Sequence, residues 1–486
     1  MGAALTRWLG RLGVLALGLG VATLLLEAQN VPSAVAPPGA LTDGSTLLSN
    51  GWRLQPAGRH VAVGDLPLNL IQSPDSKYVI VTNNGLEKPS FTVVDVATWT
   101  VKSTFALEHA WLGLVWHPDG TRFYSAGGNQ NNVQEFSFAN VVVTRAWTFG
   151  LPSTGATDTM VGGLSISPDG KTLYATRVFS MTLSAIDVAT GFVTQTVPLP
   201  TEPYTSLVSP DGKYVYVSLW GGSRVQMFDA ASLRYINDLP TGEHPSAMAI
   251  SSDGQRLFVA CGSDGSVWVY NTFSFESSEQ ISVSLYPDAP PTSTPNAISL
   301  SPDGRSLLVA NADNNAVAVV DVSNPSRSSV LGFVPTGWYP TGAIYSRDGR
   351  QVFVLSGRGM KTAANPNNND LDKRLQGSVS VVAAPDTTTL ADYTRRVYAL
   401  SPYSDATRMT PANAPIGSPV PRAVGGSSPI KHVFYIIREN RTYDQILGDV
   451  TAGNGDPRLV LFGRDTTPNA HALAEQLKKL GKTPPA

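Results

Sequence analysis

The pair with the clearest chemical vocabulary is Glu439 and Asn440, in the phrase Arg438-Glu439-Asn440-Arg441-Thr442-Tyr443-Asp444. A carboxylate beside a carboxamide offers hard oxygen donors, matched to magnesium, calcium or manganese rather than to a thiolate-type site. The apolar run at residues 432–437 just before them reads as a strand buried on both faces of a parallel sheet. Ligand groups in such sheets collect past the carboxyl ends of strands, where Glu439 and Asn440 would lie. As residue types alone, the pair equally suits a solvated loop.

A second set comprises Glu202, Tyr204, His244, Trp338 and Tyr339. Glu202-Pro203, His244-Pro245 and Tyr339-Pro340 join Leu66-Pro67 and Thr294-Pro295 as X-Pro steps, each opening an apolar segment. Proline suits the first position of a strand and biases the residue before it to an extended backbone. If those strands surround an axis, the X side chains line one rim of a central channel. There they either form a polar and aromatic mouth for a small molecule or a protein, or merely solvate a tunnel opening. None of the six histidines is paired at metal-ligand spacing. The single Cys261 reads as a small buried hydrophobe.

The elements that must position these groups are announced by a turn. Asp75, Asp119, Asp169, Asp211, Asp253, Asp303 and Asp348 recur at intervals of 44, 50, 42, 42, 50 and 45 residues, in polar turns of the type Ser-Pro-Asp-Gly, and each precedes a short apolar strand. Proline presets φ, aspartate bonds nearby amides and glycine accepts positive φ, so the turn is geometric. The aspartates are expected at hairpin tips on the outside of separate blades, far from one another, and not as a ring of metal ligands. A period in the forties with about four strands per unit fits one propeller blade. Seven units predict an all-β, seven-bladed β-propeller with a short α/β fragment after it. The second unit replaces the X-Pro step with Glu108-His109-Ala110-Trp111, and the seventh carries a polar insertion at residues 357–376 read as a surface loop.

The phrases Tyr78-Val79-Ile80-Val81-Thr82-Asn83-Asn84, Leu308-Val309-Ala310-Asn311 and Val319-Val320-Asp321 resemble the bacterial YVTN-type, YncE-like propeller repeat, related to the lactonase-like seven-bladed propellers. The resemblance covers residues 60–403 and implies the fold; propellers host binding modules and enzymes alike. With 42% hydrophobic and 15% charged residues the chain can build a large core, and 44 glycines and 36 prolines suit a protein of turns. A formal charge of −2 without basic clusters argues against a nucleic-acid partner. A monomer is expected.

Arg7 and Arg11 precede an uncharged run at residues 12–26, which matches the charged and apolar regions of a secretory signal. The run is short for a membrane span, which needs about 20 residues. The expected location is therefore exported, periplasmic or extracellular, with membrane contact only through an uncleaved N-terminal anchor. The domain reading is residues 1–28 signal or anchor, 29–59 flexible leader, 60–403 propeller, 404–429 linker rich in proline, alanine, glycine and serine, and 430–486 a separate fragment. Residues 60–63 and 392–400 are both candidate strands to close the last blade.

The phrase at residues 430–444, with Thr467-Pro468-Asn469-Ala470-His471-Ala472-Leu473-Ala474, resembles the opening of the phosphoesterase family that includes phospholipase C and acid phosphatase, in the alkaline phosphatase superfamily. That resemblance implies a divalent metal held partly by Glu439 and Asn440. No cofactor is expected for the propeller. The likeness ends near residue 476, and the family's nucleophile and later ligands have no counterpart here, so the fragment is expected to be an inactive remnant. Thr467 as N-cap, Pro468, and apolar Ala470, Leu473, Ala474, Leu477 and Leu480 predict an amphipathic helix. The functional expectation is an exported propeller binding module joined to that remnant. The alternatives are an active ester-bond hydrolase or a lactonase-like enzyme acting at the channel rim.

Overall fold

In the computed structural model, the described residues are 38–85, 88–153, 160–286, 293–362, 375–403, 418–420, 426–437, 440–451, 453 and 455–479. Their second and third strands per unit, such as Tyr78–Asn83 and Ser90–Asp95, are buried almost throughout, which explains their unbroken β-branched composition. Fourth strands such as Val193–Pro198 alternate between half-buried and exposed, as an outer edge does. Seven four-stranded antiparallel sheets result, six of them built from four consecutive strands. The first strands, Pro67–Gln72, Leu114–Trp116, Val161–Ile166, Pro203–Val208, Pro245–Ile250, Pro295–Leu300 and Pro340–Tyr345, contact one another in succession around the axis.

Arg59–Ala62 closes the seventh blade by pairing with Ser378–Ala383, in the register Ser378 to Ala62 and Val381 to Arg59. The other closing candidate, residues 392–400, is not a strand. It lies in the helix Thr387–Leu400, whose N-cap Asp386 accepts from Thr389 N and whose buried Leu390, Val397 and Leu400 recur at helical spacing. That helix covers the outer strand Ser329–Pro335 of the sixth blade, where Phe333 N donates to Thr394 Oγ1 at 2.9 Å.

A bond crosses every blade interface. Thr341 donates to Pro67 O, Asn69 to Leu112 O, Gly113 to Gly162 O, Ser218 to Ser246 O and Ser246 to Pro295 O, while Ser165 meets Ser206 and Ser306 meets Tyr345. Hydroxyls at these positions keep the inner wall polar and satisfied.

The repeated turn is locked locally. Ser73 Oγ donates to Asp75 Oδ1 at 2.6 Å, the same oxygen accepts from Lys77 N, and Ser73 Oγ accepts from Tyr78 N. The pattern recurs at Asp169, Asp211, Asp253, Asp303 and Asp348; in the second blade His117 replaces the serine. The turns are nevertheless not far apart. A side chain at Gly212 would lie 3.4 Å from Pro168, and one at Gly254 would lie 3.6 Å from Pro210. Each of these turns thus abuts its neighbour, because the turn after an innermost strand stays close to the axis.

Residues 38–59 are not a flexible leader. Gly39–Ala40, Thr46–Leu47 and Arg53–Leu54 form a three-stranded sheet. From it Leu48, Trp52 and Leu54 are buried with Ile281, Leu285, Phe333 and Val397. Leucine and tryptophan side chains that find an apolar surface this large order the backbone that carries them.

The expected buried strand at residues 432–437 is unpaired and open to solvent, with Phe434 91% and Tyr435 85% exposed. Strand backbone needs partners for its N–H and C=O groups, and no strand lies beside it among the described residues. The helix Tyr443–Leu447 follows, opened by a capping box of Thr442 and Gln445. The anticipated helix is present as Pro468–Lys479 with Ala474 buried, but Leu473 is 58% exposed, so its apolar face is narrower than expected. The Leu477 side chain and Leu480 lie outside what is described.

Candidate functional site

The X-Pro residues stand at the starts of first strands, four of the five with a backbone other than the one expected. Leu66, His244, Thr294 and Tyr339 have φ of 42°, 54°, 49° and 61°. Proline alone would leave them extended; the fold overrides it. The first residue after each blade's second strand donates to the X carbonyl: Asn84 N to Leu66 O, Gly262 N to His244 O, Ala312 N to Thr294 O and Gly357 N to Tyr339 O. Left-handed backbone at non-glycine residues costs roughly 1–2 kcal/mol each. Such outliers are a reason to look for function where they cluster.

Tyr339 and Trp338 are half-buried and share a partner that the sequence reading missed, Arg358. Its guanidinium carbon lies 5.3 Å from the Trp338 ring and 4.9 Å from the Tyr339 ring. Tyr204 lies half-buried on the first strand of the fourth blade, within electrostatic reach of Tyr339. Burial, with a smaller contribution from the charge of Tyr339, pushes the Tyr204 phenol up to about 12, so it remains a neutral donor. Below it a cavity of about 180 Å³ runs between the first strands, lined by Leu68, Asn69, Met248, Asn296 and Thr341 among others.

His244 packs at a 31° tilt against Trp220, with ring centroids 4.1 Å apart, and its Nδ1 is 2.5 Å from Ser263 Oγ. Glu202 flanks the same Trp220–Gly222 turn: Gly221 N donates to its carbonyl, and Thr201 Oγ1 donates to its carboxylate. That hydroxyl bond holds the Glu202 carboxyl below its usual range. The rim therefore carries two groupings, Tyr204 with Trp338, Tyr339 and Arg358, and His244 with Trp220 and Glu202. Arg358 and Trp220 both follow second strands. The signal that could have found them is their position one or two residues beyond the repeated apolar strand.

Two buried groups near this face are structural. Arg177, 1% exposed, donates to Pro152 O, Thr182 Oγ1 and Ser184 Oγ, which ties its blade to the preceding one. Cys261 is fully buried, and burial pushes its thiol up to about 12, far from a nucleophile's range.

Glu439 lies outside the described residues, and Asn440 is exposed at φ 66°. Among the described residues no group of three or more His, Cys, Asp or Glu side chains is arranged to hold a metal ion. The notable pair in this segment is instead His471, fully buried, with Asp449 at 2.6 Å.

Comparison with known proteins bears on the propeller. The hydrazine synthase of Kuenenia stuttgartiensis superposes with a TM-score of 0.53 at 18% identity, over 67% of this chain and 98% of that one. At that identity the likeness is one of fold. No curated protein sequence matches the chain. The family described as YNCE-like beta-propeller matches residues 33–348, and with the blades built as above, the chain belongs to that family.

Proposed function

We propose that the protein is an exported propeller binding module that takes a small molecule at the channel rim. The observation that carries this reading is the mouth itself. Strained X-Pro residues, an exposed arginine and the Tyr204 and Tyr339 phenols gather beside a cavity, whereas the opposite ends of the first strands carry turns whose aspartates bond within the turn itself. Arg7, Arg11 and the apolar run at residues 12–26 support export. That segment lies outside the described residues, and no helix among those described is long and apolar enough to cross a membrane.

A fragment library titrated against the full chain by ligand-observed NMR tests the site. Hits are expected to weaken at least about tenfold in Tyr204→Ala and in Tyr339→Ala. Hits indifferent to both substitutions would end the rim reading. Ring opening of a lactone, lost in His244→Ala, would turn the same rim into an enzyme.

The 15-residue phrase at residues 430–444 supports a second element of the proposal, that the C-terminal segment shares its ancestry with the opening of a metal-dependent phosphoesterase. No turnover of a chromogenic phosphate ester is expected with magnesium, calcium, manganese or zinc. Turnover abolished by Glu439→Ala and Asn440→Ala would show a working site.

A further inference from the structure

Arg358 extends the rim reading, on which this inference rests, to a class of ligand. Its backbone N–H donates to Trp338 O at 3.1 Å, and its side chain, exposed to solvent, is held against the Trp338 and Tyr339 rings. It has no ion pair among the described residues. Ring contact occupies the flat surface of a guanidinium and leaves its in-plane N–H donors open, a fork that matches a carboxylate. The surrounding groups agree with that charge. Tyr204 and Tyr339 carry hydroxyls that can donate; of the carboxylates near the X-Pro residues, Glu202 is engaged by Thr201, Asp313 by Thr294 and Asp264 by Ser266, while Glu243 is exposed. The rim also presents flat apolar surface, since Trp220 is 47% exposed beside His244.

We propose that the mouth binds a small organic carboxylate with a planar body, its carboxylate paired edge-on with Arg358 and its body laid among the rim aromatics. Tyr339, which supports Arg358 from a left-handed backbone, fixes the direction of the fork. Lysine at position 358 would keep the charge and lose the paired geometry.

Benzoate, benzamide and benzylammonium form a matched set of probes for the full chain, read by ligand-observed NMR titration. Benzoate is expected to bind about tenfold tighter than benzamide, as a charge-assisted pair exceeds a neutral one. Arg358→Met should erase that preference and Arg358→Lys should retain only part of it, with thermal melts unchanged because the side chain is exposed. Equal binding of benzoate and benzamide, both lost in Tyr204→Ala, would overturn the carboxylate assignment and leave the rim site standing. A benzoate preference that survives both Arg358→Met and Tyr204→Ala would place binding elsewhere and overturn both readings. Tighter binding of benzylammonium, or no binding of any probe at millimolar concentration, would overturn the carboxylate assignment.

Discussion

His471 Nε2 lies 2.6 Å from Asp449 Oδ1, and Nδ1 of the same ring faces the Thr467 carbonyl at 2.9 Å. A carboxylate and a carbonyl both accept, so the ring is held best when both nitrogens carry hydrogen. Burial opposes that charged form, but the bonds to Asp449 and Thr467 outweigh it and raise the imidazole above its ordinary value. The other charges near the ring are Arg464, which opposes the protonated form, and Glu475, which pairs with Arg464.

The segment at residues 440–479 should consequently loosen with rising pH. A raised folded-state pKa contributes stability that is fully present below about pH 6.5 and lost as pH climbs through the raised value. Hydrogen exchange on the full chain, corrected for the intrinsic rate, should show less protection in this segment at alkaline than at mildly acidic pH. His471→Gln should flatten the difference; an unchanged pH dependence in that variant would disprove the linkage.

Ring closure depends on Gly58, at φ +87°, where a Cβ would lie 2.1 Å from Val381 O. Gly58→Ala is expected to hold Arg59–Ala62 off its partner strand and to cost about 2–3 kcal/mol in urea unfolding.

The first repeat turn carries Ser76 at φ 62°, where the corresponding residues Gly170, Gly212 and Gly254 sit near +72°. Ser76→Gly relieves a left-handed serine and should raise stability by up to about 1 kcal/mol, whereas Gly212→Ala should lower it. Paired denaturation curves decide the sign.

Trp52, 5% exposed, packs its ring edge-on to Tyr403 at 5.9 Å between centroids. Trp52→Ala should destabilise the propeller by about 3 kcal/mol, and deletion of residues 38–55 should lower the melting temperature. A dispensable leader would show neither effect.

How far the fold was legible follows from the range of the interactions concerned. The Ser73-Asp75-Lys77 turn closes within five residues, so its chemistry reads directly from spacing and counts the blades correctly. Asp386 and the Leu390, Val397, Leu400 spacing are equally local, and they specify a helix where residues 392–400 taken alone suit a strand. The prolines that follow His244 and Tyr339 place both at the starts of first strands. Their backbone is not legible there, since the bonds that turn it come from Gly262 and Gly357, residues 18 positions away in each case.

Residue order by itself determined the number of blades, the locking of their turns and which strand ends face the channel, because these arise from contacts between near neighbours. Tertiary structure decided the rest. It selected Arg59–Ala62 to complete a sheet some 320 residues further along the chain, and it laid the N-terminal sheet and the Thr387–Leu400 helix together over the sixth blade. It also brought Arg358 onto Tyr339 and Trp220 onto His244. Those choices rest on packing and on backbone groups seeking partners across the ring, and no local pattern encodes which distant surface will be there to supply them.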